Sequence, residues 1–467
     1  MPPDQWDPVE AANLVNVFRH SGVEVHRATG AFQADGREYP AGSYVIYTAQ
    51  AFRPHVVNLM ESRPYPEREQ YPGGPPETPY DLAGWTLPMQ MGVTVERVER
   101  PFQARTQEIQ DLLAVPAGSV VGSGGFGYAF GPAENVAHNA ANRLLAAGHQ
   151  VWLADGSFTS GGVEHLAGTF VVTGGEDVGA AVTTAARELG LSFTAVAARP
   201  EASLSQLRRP RVGLYKAWHS RVDDQGWSLW VMEHFDFAVD TLHDADIRRG
   251  NLSAYDAIVL PNHPGQQILQ GNAPGTMPDA YVGGLGTEGV TQLKRYVEGG
   301  GTLIAFDQAT DLPMDHFGIP VRNSVAGLPP EDFFIPGSLI RTDIDTGHPF
   351  AAGMQGQVAA AFSQSRAFEV VTLPRRAEGG RESTPEAPAP AVEVVARYAE
   401  SDLLMSGWAM GEERHLAGEP AMVNVRLGSG NVVLFGFRPQ FRGQPRATFK
   451  LLFNAIQRAA AEPTPVM

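Results

Sequence analysis

Short apolar runs separated by polar and glycine-rich stretches are the clearest pattern in the chain, and they are densest in residues 211–307. Four of these runs predict strands, at 212–215, 238–242, 256–261 and 302–307. The runs hardly alternate, which is typical of a parallel sheet whose two faces are both covered by helices. Capping and glycine signals between them predict helices at 227–235 and 290–297. Strands that alternate with helices in this way predict the α/β class, with a doubly wound, mostly parallel sheet.

A repeat precedes this region. Gly22-Val-Glu-Val matches Gly148-His-Gln-Val, which lies 126 positions later, and Ala41-Gly-Ser-Tyr-Val matches Ala167-Gly-Thr-Phe-Val at the same offset. In both copies the pattern predicts a helix, two strands and a helix in the same order. We therefore predict two related small α/β units in tandem, at 1–110 and 111–205, followed by the sheet domain at 206–467.

Two proline-rich stretches interrupt these patterns. Residues 61–92 interleave prolines with aromatic residues, which excludes a helix and predicts an extended arm. Such an arm is either functional or a clamp between domains. Residues 373–390 are polar, charged and proline-rich, and they predict a mobile insertion in the sheet domain. After it, 421–427 and 431–437 predict a hairpin that closes the sheet, and 446–458 predicts a final helix.

Composition narrows the classes of function. The formal net charge of -16 argues against a nucleic-acid partner, because phosphate binding needs a basic surface. The absence of cysteine excludes thiol nucleophiles and Cys-ligated metals. No apolar run reaches the roughly 18 residues that a membrane span needs. The first residues do not have the pattern of a signal peptide, and the compartment stays open.

Ligands of doubly wound sheets bind at the carboxyl ends of the strands. Asp307 ends a predicted strand at the bend where this architecture often carries its nucleophile, so it is a candidate nucleophile or base. Ser220, His263 and Asp307 are candidates for a catalytic triad. The alternative is that Asp307 caps the following turn and His263 lies in a solvated loop. Trp218 and the adjacent His219 are candidates for binding a sugar or peptide, with core packing of Trp218 as the alternative.

Two arginines follow the last predicted strand. Arg438 and Arg442 are candidates for binding a carboxylate ligand. The alternative is that each forms a salt bridge with one of the chain's own acidic residues.

A glycine-rich stretch between the two units matches the pattern Gly-x-Gly-x-x-Gly. Gly122, Gly124 and Gly127 follow a predicted strand, and Asp155 ends the next one. In a dinucleotide site such glycines let a pyrophosphate approach the N-terminus of a helix. The alternative is an ordinary tight turn, because Tyr-Ala-Phe-Gly-Pro separates Gly127 from the next predicted helix.

Histidine spacing gives no metal motif. The sequence contains no His-Glu-x-x-His and no His-x-x-Glu, so we predict no metal site in this chain. His243-Asp-Ala-Asp246 comes nearest to a ligand spacing, and there a carboxylate cap of a short helix is the better interpretation.

Several spaced phrases together resemble one family. They are Gly22-Val-Glu-Val-His-Arg-Ala, Tyr39-Pro-Ala-Gly-Ser-Tyr-Val, Tyr71-Pro-Gly-Gly-Pro-Pro, Tyr80-Asp-Leu-Ala-Gly-Trp-Thr-Leu-Pro and Leu434-Phe-Gly-Phe-Arg-Pro-Gln. In this order they resemble the long C-terminal region of large bacterial M14-type zinc carboxypeptidase-like proteins. From residue 211 onward the strand order is also similar to class I glutamine amidotransferase-like domains, which share the flavodoxin-like arrangement.

The resemblance implies an accessory role. In that family the zinc and the catalytic residues belong to a preceding domain, so no cofactor is expected in this chain. The implied partner is an M14-type peptidase domain, in cis or from a neighbouring chain. A homo-oligomer is compatible with the resemblance. The relatives are exported proteins. We expect a non-catalytic accessory region that binds a peptide or glycan. The alternative is a sugar- or peptide-binding or hydrolytic amidotransferase-like domain, although Asp307 stands where that family has a cysteine.

Overall fold

A large mixed sheet organises the chain from Arg211 onward. The computed structural model describes residues 1–175, 177–219, 222–372 and 390–463. In spatial order, the sheet strands are Ala238–Leu242, Arg211–Tyr215, Ala257–Leu260, Thr302–Phe306, Gly430–Phe435, Pro420–Leu427, Ala391–Tyr398, Ser338–Ile344 and Gln357–Phe362, with Leu404–Ser406 also paired to Ser338–Ile344. The first five are parallel and the others are antiparallel. The predicted α/β class is confirmed, with the parallel strands confined to one half of the sheet.

Helices cover both faces of the parallel half. Val222–His234 and Phe449–Ala459 pack on one face, where Val231, Leu452 and Ile456 are fully buried. On the other face lie Asp244–Arg249, Gly265–Gln270, Gly286–Glu298 and Asp311–His316. The central strands Ala257–Leu260 and Thr302–Phe306 are almost entirely apolar because they are buried on both sides. This arrangement is the predicted doubly wound one.

The first 205 residues contain two units with matching strand pairings. In the first unit Arg27 pairs with Tyr44, and in the second Leu153 pairs with Phe170, which are the equivalent positions. Each unit also carries a small antiparallel hairpin after its first paired strand. Helices flank these strands in both units. The first unit has helices Pro8–His20, Arg53–Met60 and Leu87–Met91 and strands His26–Ala28, Phe32–Ala34, Arg37–Tyr39, Tyr44–Val45 and Thr106–Glu108.

The second unit builds a larger sheet than the first. Its helices are Val136–Ala146 and Val178–Leu189, and its strands are Val120–Val121, Gly127–Phe130, Gln150–Ala154, Phe158–Ser160, Val163–His165, Phe170–Thr173, Phe193–Val196 and Leu204–Leu207. Six of these join the C-terminal strand Ala461–Pro463 in a seven-stranded sheet. The end of the sequence thus returns to the second unit.

The remaining elements surround the antiparallel half of the large sheet. They are strands Val321–Asn323 and Phe368–Val370, which pair with each other, and the short helix Glu412–His415. The predicted hairpin is confirmed at Pro420–Leu427 and Gly430–Phe435. The predicted mobile insertion at 373–390 lies, except for Pro390, outside the described residues.

The prediction that the prolines of 61–92 exclude a helix is wrong at Leu87–Met91, because Pro88 lies in the first turn, where no backbone N–H is needed. The proline-rich arm is attached to the sheet domain at two places. On one side Tyr65 N–H donates to Gly407 O at 2.8 Å, and on the other Ala83 N–H donates to Gly337 O at the same distance. Tyr65 and Ala83 also join Trp408 in a small apolar cluster. The arm therefore clamps the first unit onto the sheet domain, and the segment between its two attachments overhangs the ends of the parallel strands.

Candidate functional site

Asp307 lies at a sharp bend directly after strand Thr302–Phe306. Its φ is +50°, a left-handed conformation that is uncommon for a residue with a side chain. A turn of this kind is the usual position for a reactive group that must stand above the sheet. We call it the elbow. The side chain of Asp307 does not stand above the sheet, however, because none of the residue's surface is exposed.

Neighbouring polar groups enclose the Asp307 carboxylate. Ser365 Oγ donates to Asp307 Oδ2 at 2.9 Å, and Arg438 Nε lies 3.5 Å from the same oxygen. Arg438 attracts the carboxylate as a charge, but its Nε is not aligned to donate a hydrogen bond. Burial raises the pKa of Asp307 to about 6, and the nearby positive charges of Arg438 and Arg366 oppose that increase. Asp307 is thus a buried, partly paired acid with no exposed surface.

The predicted triad also includes His263 and Ser220. His263 is buried rather than solvated, and Ser220 lies outside the described residues. The side-chain amide of the adjacent Asn262 connects two strand ends, because Gln308 N–H donates to Asn262 Oδ1 at 3.2 Å. Asn262 N–H in turn donates to Asp224 Oδ2 at 2.8 Å. Asp224, which lies in helix Val222–His234, thus holds the end of the neighbouring strand.

Trp218 packs against other rings. Its indole stacks on the His243 imidazole, with centroids 3.7 Å apart and planes 4° apart, and Tyr281 contacts it edge-on at 4.8 Å. His243 is fixed in turn, because its Nδ1 lies 2.8 Å from Lys216 O and its backbone N–H donates to Asp246. The capping interpretation of the His243–Asp246 spacing is therefore confirmed. His219 is exposed, and its ring centre lies 6.0 Å from that of His263.

Arg438 and Arg442 both contact the Phe441 ring. Their guanidinium carbons are 4.2 Å and 5.1 Å from its centroid, which is cation–π distance. Arg442 donates two hydrogen bonds to Asp81 of the arm, at 2.9 Å and 3.1 Å. Both guanidinium groups thus form ion pairs within the chain, Arg442 with Asp81 and Arg438 with Asp307, as the salt-bridge alternative predicted.

The glycine-rich stretch forms a turn between strands. Gly127 begins strand Gly127–Phe130, and the next helix begins only at Val136. A pyrophosphate site of the predicted kind needs a helix N-terminus directly after the glycines, which this loop does not provide. Gly122, with φ at +81°, and Gly124, where a Cβ would lie 2.5 Å from Gly127 O, are explained by the tight turn. Asp155 binds Ser205 and Arg458, so its carboxylate is also occupied.

A cleft of about 910 Å³ opens beside the elbow. Asp311, Ser365 and Arg366 line it where it approaches Asp307. Arg366 donates two hydrogen bonds to Asp311, at 2.8 Å and 3.1 Å, so these opposite charges are paired at the cleft surface. The apolar part of the lining consists of Met314, Val321, Val325, Leu328, Phe333 and Ile335.

The arm forms one wall of this cleft. Its segment 68–77 folds back on itself, since Gln70 N–H donates to Pro75 O at 3.0 Å and Glu77 N–H donates to Arg68 O at 2.7 Å. We call this segment the flap. Its buried Pro76 and half-buried Pro75 line the cleft. Within the described part of the chain, the flap's hydrogen bonds and ion pairs are internal to it.

Neither a metal centre nor a membrane-spanning helix is evident in the described ranges. No group of three or more His, Asp or Glu side chains has the geometry to hold a metal ion there. Among the same residues, no helix combines the length and apolar character that crossing a bilayer requires.

Comparisons with known proteins give distant structural similarity. No protein-family model and no curated protein matches the chain. Among solved structures, it is similar to a cytoplasmic protein from Salmonella typhimurium (15% identity, 54% of this chain and 99% of that one, TM-score 0.34). It is also similar to a ThuA-like protein from Bacteroides uniformis (14%, 53% and 91%, TM-score 0.30) and to a GMP synthase protein from Thermoplasma acidophilum (11%, 53% and 94%, TM-score 0.31).

Sequence reasoning located the strand ends but missed the residues that line the cleft. Ser365 and Arg366 lie in a loop between strands Gln357–Phe362 and Phe368–Val370, far from Asp307 in sequence. No local motif marks them, because their role depends on the antiparallel half of the sheet bringing that loop to the elbow. Gln364, directly before Ser365, has a positive φ, but this backbone feature cannot be read from the sequence.

Proposed function

We propose that this chain is a non-catalytic, ligand-binding region that accompanies an M14-type metallocarboxypeptidase-like protein. The observation that supports it most directly is the contrast at the elbow. Asp307, the residue in the position of a nucleophile, is completely enclosed, and a cleft of about 910 Å³ opens next to it. A nucleophile or general base must touch the reacting atom, so an enclosed Asp307 suits binding better than hydrolysis.

The lining of the cleft favours a peptide-bearing ligand. Apolar side chains and three prolines line the cleft together with polar groups and the Asp311–Arg366 pair. This mixture is typical of pockets that bury an apolar body and orient it with a few polar contacts. The aromatic platform expected for a sugar is Trp218, and its ring is already stacked on His243. We therefore favour a peptide, such as the stem peptide of a cell-wall fragment, over a glycan.

Isothermal titration with two probes tests this function. A muramyl pentapeptide carries both the sugar and the peptide, and chitotriose carries the sugar alone. We expect heat of binding with the first probe and none with the second. In Ala326→Trp, which places an indole in the cleft, binding should weaken at least about tenfold, or roughly 1.4 kcal/mol.

The matched control is Ala245→Trp, which adds the same side chain at an exposed helical alanine outside the cleft. It should bind the muramyl pentapeptide like the wild type. Equal binding by wild type and Ala326→Trp would show that the cleft is not the binding site. Binding of chitotriose but not of the muramyl pentapeptide would show that the ligand is a glycan rather than a peptide.

The accessory role has a separate test. Purified chain would be analysed for zinc and incubated with a peptide that carries a free C-terminus. We expect no stoichiometric zinc and no release of the C-terminal amino acid, because the resemblance places both in another domain. Zinc at one equivalent together with turnover would contradict the accessory role and leave the cleft proposal standing.

A further inference from the structure

The two repeated units differ at one edge of their sheets. In the second unit, strand Ala461–Pro463 covers the outer side of strand Leu204–Leu207, with Gln206 opposite Glu462. In the first unit, strand Thr106–Glu108 is an edge of the three-stranded sheet, and among the residues that the structure describes no strand covers its outer side. One unit therefore shows a strand at a position that the other leaves open.

These two edges are structurally equivalent. Glu108 pairs with His26 in the first unit, and Gln206 pairs with Trp152 in the second. His26 and Trp152 are equivalent residues of the repeat, since they pair with Val45 and Val171 in the same register. Glu108 thus occupies the place in its unit that Gln206 occupies in the other.

The backbone of the open edge points its hydrogen-bonding groups outward at alternate residues. Ile109 N–H donates to Val25 O at 2.9 Å and Thr29 N–H donates to Arg105 O at 2.8 Å, both toward the inner neighbour. In an antiparallel ladder the direction alternates from one residue to the next. The N–H and C=O groups of Thr106 and Glu108 consequently point away from the sheet. The same groups of Gln206 also point outward in the second unit, where they face Glu462.

The side chains keep this edge accessible. Gln103, Arg105 and Gln107 are exposed and alternate with half-buried Ala104 and Thr106, so the extended course of the edge continues beyond the three residues of the strand. Outward N–H and C=O groups on an extended edge are a template for another strand.

We propose that an extended segment of a partner polypeptide adds to this edge as an antiparallel strand, bonded to the backbone of Thr106 and Glu108. A second copy of this chain cannot donate its strand Ala461–Pro463, because that strand is already paired inside its own second unit. The exposed carboxylate of Glu108 favours a basic residue directly opposite it, since opposite charges on facing strand positions attract.

Amide hydrogen exchange with a synthetic strand tests the proposal. The probe is acetyl-Thr-Val-Lys-Val-Thr-amide at about 1 mM, a concentration that suits weak association. In the free protein the amides of Thr106 and Glu108 should exchange fast and that of Gln206 slowly. With the peptide, exchange at Thr106 and Glu108 should slow at least about threefold, while Gln107, already bonded to the inner strand, should not change.

Two variants complete the test. Glu108→Pro removes the outward N–H but none of the bonds to the inner strand, and it should abolish the slowing at Thr106. Glu108→Ala keeps the N–H, so most of the slowing of exchange at Thr106 should remain. The proposal is overturned if the peptide slows exchange at neither amide, or if it slows exchange at Thr106 in Glu108→Pro as much as in the wild type. It is also overturned if raising the protein concentration alone slows exchange, because that would indicate pairing with a second copy.

Discussion

At the residue scale, the buried Asp307 carboxylate is the feature on which the proposed binding role rests. Its raised pKa has a thermodynamic consequence. The folded state holds a proton at Asp307 up to about pH 6, whereas the unfolded chain releases it near pH 3.8. Between these values the folded state binds more protons, so the contribution of Asp307 to stability falls as pH rises.

Asp307→Asn should therefore gain stability relative to the wild type as pH rises from 4 to 6.5, by roughly 1–3 kcal/mol across that window. The asparagine keeps the shape of the protonated acid and does not titrate. Urea unfolding of both proteins at several pH values measures the difference, and Asp315→Asn, at an exposed carboxyl of the following helix, is the control. A difference that does not change with pH would contradict the enclosed-acid description.

At the element scale, the repeat uses glycine at the same backbone positions in both units. Gly42 and Gly168 are equivalent and have φ of +92° and +85°, a region that disfavours any side chain. Their surroundings differ. A Cβ on Gly168 would lie 2.4 Å from Ala352 Cβ, whereas the nearest side-chain atom to one on Gly42 is 3.7 Å away.

Gly42→Ala should thus cost about 1–2 kcal/mol of unfolding free energy through backbone strain alone. Gly168→Ala should cost roughly 1–3 kcal/mol more, because it adds a clash in a packed region. Chemical denaturation of the two variants measures this. Equal losses would mean that the contact at Ala352 relaxes freely.

The flap forms one wall of the cleft, so an opening of the flap would widen access to the cleft. Its hydrogen bonds are internal, but the attachments at Tyr65 and Ala83 are bonded to the sheet domain and packed in an apolar cluster. Amide exchange at Gln70 and Glu77 should accordingly be faster than at Tyr65 and Ala83, and the muramyl pentapeptide should slow it. Similar exchange rates at all four amides would indicate an arm that opens as one body with its attachments.

Sequence patterns predicted the elements unevenly, for a physical reason. The parallel strands such as Thr302–Phe306 were found because burial on both faces leaves an uninterrupted apolar run. Strand Gln357–Phe362 was missed because its alanine-rich run has no alternation and low strand propensity, so only its pairing partners determine its conformation. The enclosure of Asp307 was equally invisible, since Ser365 and Arg438 approach it from distant parts of the chain.

At the scale of the whole molecule, a buried charge cluster joins the first unit, the second unit and the C-terminal helix. Arg446 donates two hydrogen bonds to Glu10, at 3.0 Å and 3.2 Å, and Asn135 N–H donates to Asp7 at 2.8 Å. Lys450, 3% exposed, lies 3.4 Å from Asn135 Oδ1. Burial raises the pKa of Asp7 and lowers the pKa of Lys450, and the attraction between their charges opposes both shifts.

Removing the lysine should leave buried carboxylates without their compensating charge. Lys450→Met should lose about 3–5 kcal/mol of stability at pH 8, and less at pH 5.5, where protonation can neutralise the carboxylates. The matched control is Lys294→Met, at a half-buried surface lysine near Glu298. Urea unfolding at both pH values measures the losses, and a loss at pH 5.5 equal to or larger than that at pH 8 would contradict this electrostatic description of the junction.

The central claim is that the cleft binds a ligand and that Asp307 does not react with it. Titration of wild type and Asp307→Asn with the muramyl pentapeptide, followed by mass spectrometry of the recovered ligand, tests this claim most directly. We predict dissociation constants within about twofold of each other, which is less than about 0.5 kcal/mol, and an intact ligand in both cases. A ligand cleaved by the wild type and left whole by Asp307→Asn would contradict it.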